Sequence, residues 1–429
     1  MSEYRNCTRK LNVSGRANNR SDGSTGSLNR STRNRPVRLL GLDMGAWGYF
    51  AWRNLPRGTM IPVVLLICAL AYGLRLLYFV VGFARGSRVQ PRAETLPEVT
   101  VVIPARNECE TLARCVASIA ASNYPAAKRR VIIVDDRSTD GTSQLLDELA
   151  SRYENITALH RTEADVTANL RGKPGALQAG IDMARTDVVL MTDADCTVHP
   201  DWIRTMSAPF ADERVGMVCS TTDVEPMGAF SRLQGVEWAY SHAMARGSLQ
   251  NGIALGCYGN NLAVRRSTFM ALGGYGAIPF SVTEDLALLQ AVCNSGAAVQ
   301  YLCQHDAAVT TLPCMTVGEY IRQRQRWAQG GTALGWKATA FVLTSMALWI
   351  GMIVAIATGN VHWFTGLAGM RIIGDASLVL WALARLRRID TMLWVLPSIL
   401  VLMLTEFVVP FLLLQRNVTW KGQRFRASA

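Results

Sequence analysis

Asp193-Ala194-Asp195 closes a short run, Asp187 to Thr192, rich in apolar and β-branched residues. The run reads as a buried strand, because it lacks helical polar spacing and is bounded by polar residues on both sides. Residues i and i+2 of a strand face the same way. If strand geometry extends through the two acids, both carboxylates point to one side at the strand's carboxyl end. In open α/β sheets ligands bind at that edge, and two hard oxygen donors there suit Mg2+ or Mn2+ carrying a diphosphate. Asp135 and Asp136 end another apolar run, Val131 to Val134, and can accept a hydrogen bond from a base N–H. Lys173 lies in Gly172-Lys173-Pro174-Gly175, where it can meet a diphosphate as a point charge while the glycines allow close backbone approach.

Two further groups complete the chemistry. Asp285 follows Glu284 and Thr283 at the start of a helix spaced over Leu286 to Cys293, with Thr283 resembling its N-cap. A carboxylate there stays ionised more readily and can take a proton from a hydroxyl. Gln323, Arg326 and Trp327 lie on a helix with a basic flank, Arg322 and Arg324. Arginine offers a planar donor fork for phosphate, and tryptophan a flat face for a sugar ring. Gly256 to Asn261 forms a loop in which Asn260 or Asn261 could serve as donor. Each pattern also has an ordinary reading: an acidic turn, a solvated lysine, a capping acid, a juxtamembrane basic–aromatic belt. The five histidines show no metal-ligand spacing and are assigned no chemistry.

The elements that must hold these groups follow from periodicity. Strands are expected at Val99–Pro104, Val131–Val134, Ile156–His160 and Asp187–Thr192, and helices at Thr111–Ser122, Ser143–Tyr153 and Pro174–Ala184. Such alternation predicts a mostly parallel sheet covered on both faces.

The flanks differ in kind. Of the 429 residues 50% are hydrophobic and 18% charged, which points to a membrane protein with a substantial polar body. Residues 1–57 read as a basic disordered tail; they hold most of the net charge of +12, so nucleic acid is not an expected partner. Residues 58–84 are long and apolar enough to span a bilayer, interrupted by Arg75, and Pro91 and Pro97 mark a linker. Residues 338–415 supply two or three further spans, before a basic tail at 416–429. Arg371 and Asp375, four apart, can pair on one helix face. Three such spans would put the basic end on the far side from the body, against the positive-inside rule. One segment is therefore expected to be re-entrant or interfacial, with 361–384 the suspect. The ten cysteines show no Cys-x-x-Cys pair and read as reduced thiols, favouring a cytosolic body.

Taken together, the motifs resemble a membrane-bound family 2 glycosyltransferase. They are Pro104-Ala105-Arg106-Asn107-Glu108, Val134-Asp135-Asp136 with Ser138-Thr139-Asp140, Gly172-Lys173-Pro174-Gly175-Ala176-Leu177, Asp193-Ala194-Asp195, Thr283-Glu284-Asp285 and Gln323-Arg324-Gln325-Arg326-Trp327, in family order across roughly 98–330. The resemblance implies an α/β GT-A fold, Rossmann-like with a mostly parallel sheet, plus α-helical transmembrane segments. It implies that Pro104, Asn107, Glu108, Asp135, Asp136, Lys173 and Asp193 bind a UDP-sugar, with Asp135 or Asp136 on the uracil. Asp195, with Asp193 near the ribose or the ion, would hold Mg2+ or Mn2+. Asp285 would be the base of an inverting transfer, supported by Glu284. Gln323, Arg326 and Trp327 would line the acceptor entrance and touch the diphosphate.

The ending Thr419 to Phe425 resembles the Trp-x-Gly-Arg-Tyr tail of ceramide and carotenoid glucosyltransferases, with Gln423 before the arginine and Phe425 in place of tyrosine. The implied acceptor is a lipid or carotenoid hydroxyl and the implied sugar glucose. The implied location is the inner membrane, multi-pass, with the catalytic domain cytoplasmic. A processive synthase of hyaluronan or poly-N-acetylglucosamine type is the alternative enzyme, and an inactive membrane scaffold the alternative of another class.

Overall fold

Helix α1 (Arg57–Ala84) leads into β1 (Val99–Ala105), α2 (Leu112–Ala120), β2 (Arg129–Asp136), α3 (Thr142–Arg152), β3 (Ile156–Arg161), α4 (Lys173–Met183) and β4 (Val188–Met191). Then come β5 (Thr197–Val198), α5 (Trp202–Ser207), β6 (Val215–Cys219), β7 (Thr222–Val224), the long α6 (Ala229–Gln250) and β8 (Leu262–Arg265). The series ends with α7 (Glu284–Asn294), β9 (Ala298–Tyr301), β10 (Val309–Thr311), α8 (Val317–Gly331), α9 (Trp336–Ala357), α10 (Val361–Arg385), α11 (Val395–Leu412) and the strands β11 (Asn417–Trp420) and β12 (Gln423–Arg426). The computed structural model describes residues 57–85, 96–162, 168–414, 417–420 and 423–426. The basic tail expected up to residue 56 and the Pro91 part of the linker lie outside the described residues.

Side-chain alternation builds the sheet. Val99, Val101 and Ile103 of β1 face one core with Val131, Ile133, Val188 and Leu190. Val102 faces the other, with Ile132, Val134, Val189 and Met191. Helices α2, α3 and α5 cover the first face, and α4 and α7 the second. The seven strands run in the order β3-β2-β1-β4-β8-β6-β9. All pairs are parallel except those that β8 makes with β4 and β6. The chain leaves β1 toward β2 and β3, then returns to place β4 on the other side of β1. That reversal opens a crevice beyond the carboxyl ends of β1 and β4. A smaller sheet, β5-β10-β7, stands beside it.

Strand geometry does not extend through the two acids as expected. β4 stops at Met191, and Asp193 to Cys196 is a turn closed by the Cys196 N–H donating to the Asp193 carbonyl at 3.1 Å.

Among the described residues four helices, α1, α9, α10 and α11, are long and apolar enough to cross a membrane. Arg371 and Asp375 do pair, at 2.6 Å, and Arg371 also meets Glu406 of α11 at 2.7 Å. Tyr72 of α1 and Tyr240 of α6 both donate to Asp375, at 2.6 and 3.0 Å. Both α11 and the carboxyl-terminal half of α10 pack on α6 of the polar body, Leu378, Val379, Ala382 and Leu383 among them. Val395, Ile399 and Leu402 share a core with α6, Thr405 meets the Tyr320 hydroxyl at 3.1 Å, and the Leu413 carbonyl accepts from Gln329 at 3.1 Å. The tail at 416–429 contains a paired element: β11 and β12 run antiparallel, Asn417 opposite Arg426. The nine described cysteines are all free.

Candidate active site

The crevice holds a cavity of about 220 Å³. Loops at the strand ends and helices α6 and α8 build it. After β1, Pro104, Arg106 and Glu108 line it. Asn107 does not: with φ +54° it turns outward, and its Oδ1 accepts from the Thr139 N–H at 2.8 Å. It ties the β1 loop to the β2 loop.

The paired acids after β2 separate. Asp136 lines the cavity, ringed by Arg161 at 2.8 Å, Arg137 at 2.9 Å and Arg106 at 3.6 Å. Asp135 points to the sheet's other side, accepting from Ser143, from the Ser138 N–H at 3.1 Å and from His160 at 3.3 Å. Burial works against its charge, but those hydrogen bonds win and hold its pKa below the usual carboxylate range.

Gly172 has φ +66°, a left-handed angle that glycine adopts freely, and it turns the chain into α4. Lys173 then stands at the first helical position. Its Nζ lies 2.6 Å from Asp193 Oδ1 and 3.2 Å from Glu284 Oε1. Burial opposes its charge, yet the two carboxylates raise its pKa. One ammonium thus links the β4 edge to the start of α7.

Asp285, next to Glu284, lines the same cavity as that lysine. Its Oδ2 accepts from the Gly259 N–H at 2.7 Å and its Oδ1 from the Leu286 N–H at 2.8 Å. Burial first, then the Glu284 carboxylate, push its pKa up to about 6, against the lowering pull of Lys173 and Arg326. A base poised near neutrality suits proton abstraction from a hydroxyl. Thr283 occupies the N-cap position, but its hydroxyl pairs with Ser281 at 3.1 Å instead of the helix.

Gln323, Arg326 and Trp327, at i, i+3 and i+4, share the face of α8 that lines the cavity. Arg324 turns away and pairs with Glu237 at 2.7 Å, its guanidinium 4.1 Å from the Trp327 ring centroid. Trp327 stands edge-on to Trp238 at 5.1 Å and to Tyr258 at 5.3 Å. Trp238, Tyr258, Gly259, Phe280 and Arg171 are lining residues that periodicity alone did not single out. The Gly256–Asn261 loop was the available signal for two of them. Its asparagines diverge: Asn260 lines the cavity, whereas Asn261 is buried, accepting from Trp202 Nε1 at 2.9 Å and donating to the Thr221 and Ala307 carbonyls.

Asp193 and Asp195 both face the cavity beside the switch point. Asp195 Oδ2 is 3.5 Å from Thr311 Oγ1, and Oδ1 is 3.4 Å from Cys196 Sγ. Two carboxylates at a diphosphate-sized crevice form a hard donor set that fits Mg2+ or Mn2+. A second group unites residues that sequence spacing kept apart: His199, His305 and Asp306 present ligand atoms within 4.8 Å of one another, outside the cavity lining. The Asp201 N–H donates to His199 Nδ1 at 3.1 Å, which leaves the proton of the neutral ring on Nε2. His199 Nε2 lies 3.9 Å from Asp306 Oδ1.

Comparison with known proteins fits this geometry. The chain is 30% identical over 261 residues to a beta-monoglucosyldiacylglycerol synthase of Nostoc sp., covering 58% of this chain and 53% of that one. It is 27% identical over 240 residues to a poly-beta-1,6-N-acetyl-D-glucosamine synthase of Staphylococcus aureus, covering 56% and 55%. The chain therefore spans about half the length of these relatives. Among solved structures, a mannosyltransferase from Pyrobaculum calidifontis in complex with GDP-Man and Mn2+ superposes with a TM-score of 0.54 at 22% identity, covering 80% of this chain and 99% of that one. That likeness establishes the GT-A fold. Residues 100–273 match the glycosyl transferase family 2 description and residues 188–409 that of glycosyl transferase family group 2. With half of its length inside the second match alone, the chain belongs to the family 2 glycosyltransferases.

Proposed function

We propose that this protein is an inverting glycosyltransferase that moves one hexose, glucose, from a UDP-sugar to a hydroxyl of a membrane lipid. The observation that carries the reading is the bridge Asp193–Lys173–Glu284, which brings the donor edge of the sheet within one side chain of Asp285. In this reading Asp136 accepts the uracil N–H, while Pro104 and Glu108 wall the base and Lys173 neutralises the diphosphate. Asn107 and Asp135 act from behind, by fixing the loops. Asp195 and Asp193 would hold Mg2+ or Mn2+, which supplies charge stabilisation to the departing diphosphate. Asp285, held by the Gly259 and Leu286 amides, takes the acceptor proton as the hydroxyl attacks the anomeric carbon from the face opposite the diphosphate. Arg326 adds a donor fork on the leaving side, and Trp327, Trp238 and Tyr258 form an aromatic wall for the sugar.

The lipid acceptor is supported by the apolar helices packed on α6 and by the lipid-directed relative. The proposed arrangement has a catalytic domain at residues 98–330 on the cytoplasmic side of the inner membrane. It has spans at α1, α9 and α10, with α11 lying along the interface; the basic end then returns to the catalytic side, as the positive-inside rule prefers.

Processive polysaccharide synthesis is the second reading, favoured by the similarity to the poly-N-acetylglucosamine synthase. Membranes containing the protein, incubated with labelled UDP-sugars, distinguish the two. Label in an organic extract, with a diacylglycerol or carotenoid acceptor added in turn, supports the lipid reading. A ladder of water-soluble saccharides from UDP-sugar alone contradicts it.

A further inference from the structure

Helix α6 carries a cation that the reaction does not use. Arg246 is only 1% exposed, yet its Nε and Nη1 have no hydrogen-bond partner. Its Nη2 donates to the Arg85 carbonyl at 3.3 Å. Its guanidinium lies 5.4 Å from the Phe83 ring centroid, and that of Arg385 lies 5.7 Å from the same ring. Arg85, two residues beyond Phe83, is exposed and donates to Asn251 Oδ1 at 2.6 Å. Among the described residues no carboxylate forms an ion pair with any of these three arginines. Burial lowers the pKa of Arg246; the neighbouring Cys303 opposes this, and the like charge of Arg385 adds to it. Arg388, three residues on, is handled differently: it pairs with Asp223 and with Asp390.

A buried cation without a counter-charge is costly. An anion that supplies the missing partner would therefore be bound. The position says which anion. Phe83 and Arg85 mark the end of α1 and Arg385 the end of α10, both at the catalytic-domain end of apolar helices. Trp381 stands edge-on to Phe83 at 4.9 Å and is partly exposed, as tryptophans at headgroup depth are. Leu77 and Val81 on α1 and Leu380 on α10 are exposed apolar residues leading away from the cluster. None of these residues lines the cavity.

We propose that Arg85, Arg246 and Arg385 form a headgroup site for an anionic phospholipid. The phosphodiester takes the place of the absent carboxylate, and the acyl chains follow the exposed faces of α1 and α10. Guanidinium forks match phosphate oxygens in pairs, and basic pockets between helices at the membrane surface recognise such headgroups. The site rests on the membrane placement of α1 and α10 and is independent of the reaction at Asp285.

The test uses the full-length protein in a non-ionic detergent, titrated with phosphatidylglycerol labelled on an acyl chain. Saturable binding is expected, competed by unlabelled phosphatidylglycerol and not by phosphatidylcholine or equimolar inorganic phosphate. Arg85 and Arg385 are exposed, so the double variant Arg85→Gln/Arg385→Gln is expected to fold. It weakens binding roughly 30-fold, about fivefold for each arginine. Arg387→Gln, the same charge change at an exposed neighbouring arginine, leaves binding unchanged. Equal competition by phosphatidylcholine, displacement by equimolar phosphate, or undiminished binding in the double variant overturns the assignment.

Discussion

Replacing Lys173 by Gln removes the one ammonium between Asp193 and Glu284 and should change the pH dependence of catalysis, not only its size. At 3.2 Å from Glu284, a unit charge pair is worth about 5 kcal/mol at an effective dielectric near 20. Lys173 is 11% exposed at its side chain, so little of this is lost to solvent. Breaking such a pair costs about 3–5 kcal/mol, because Glu284, 10% exposed at its side chain, stays buried without its partner. Lys173 is also one of the two cations that hold the Asp285 pKa down to about 6. Without it that pKa rises further. The base works only when ionised, so the acidic limb of log(kcat/KM) against pH, expected near 6 in the parent, moves upward. A shift of at least one unit corresponds to about 1.4 kcal/mol. The stability deficit has the same sign: a carboxyl whose folded pKa is raised favours folding when protonated. The deficit is therefore largest above the folded pKa and shrinks as pH falls through it. The assay is label transfer from UDP-sugar between pH 5 and 9, with thermal midpoints at each pH. Lys173→Arg keeps the charge and should keep the limb near its parent position. A loss of activity in Lys173→Gln that is uniform across the whole range, with the limb unmoved, refutes the electrostatic coupling.

Three other substitutions probe the frame. A Cβ added at Gly259 would come within 2.9 Å of Glu284 Oε1 and 3.3 Å of Asp285 Cβ; Gly259→Ala should lower kcat on the order of 100-fold through a displaced base, with the fold retained by circular dichroism. Gly82 packs against the Gly247 carbonyl and the Asn251 amide where α1 crosses α6. Gly82→Val should cost about 1–3 kcal/mol, read as a lower thermal midpoint in detergent; an unchanged midpoint contradicts the crossing. Glu406→Gln leaves Arg371 and Arg75 with fewer opposing charges inside the helix bundle, at a cost of about 3 kcal/mol or more, measured in the same way.

Half of the sheet was legible from sequence and half was not, for a physical reason. β1, β2 and β4 are β-branched runs buried on both faces, so composition alone marks them. β6, β8 and β9 are four or five residues long and contain Gly216, Cys219, Ala263 or Gln300. They are strands because of their neighbours. The site divides similarly. Asp193, Asp195 and the i, i+3, i+4 face of α8 are local patterns, and periodicity finds them. Trp238 and Arg246 lie on α6, whose burial is imposed by α1, α10 and α11, and nothing in its own period distinguishes them. Asp135 and Asp136 show the limit most clearly. Adjacent strand residues must face opposite ways, so only one of the pair can reach the cavity, yet which one depends on the register of β2 against β1. His199, His305 and Asp306 meet only through the tertiary fold.

The central claim is that Asp285 is the base of a nucleotide-sugar reaction assembled around Lys173. Asp285→Asn keeps the shape while removing basicity, and its one carboxamide oxygen can still accept from either the Gly259 or the Leu286 N–H, though not from both. Turnover of labelled UDP-sugar should fall by about 10²–10⁴-fold, with UDP affinity, measured by calorimetry, within about twofold of the parent. Full turnover in Asp285→Asn, at unchanged UDP affinity, contradicts the account.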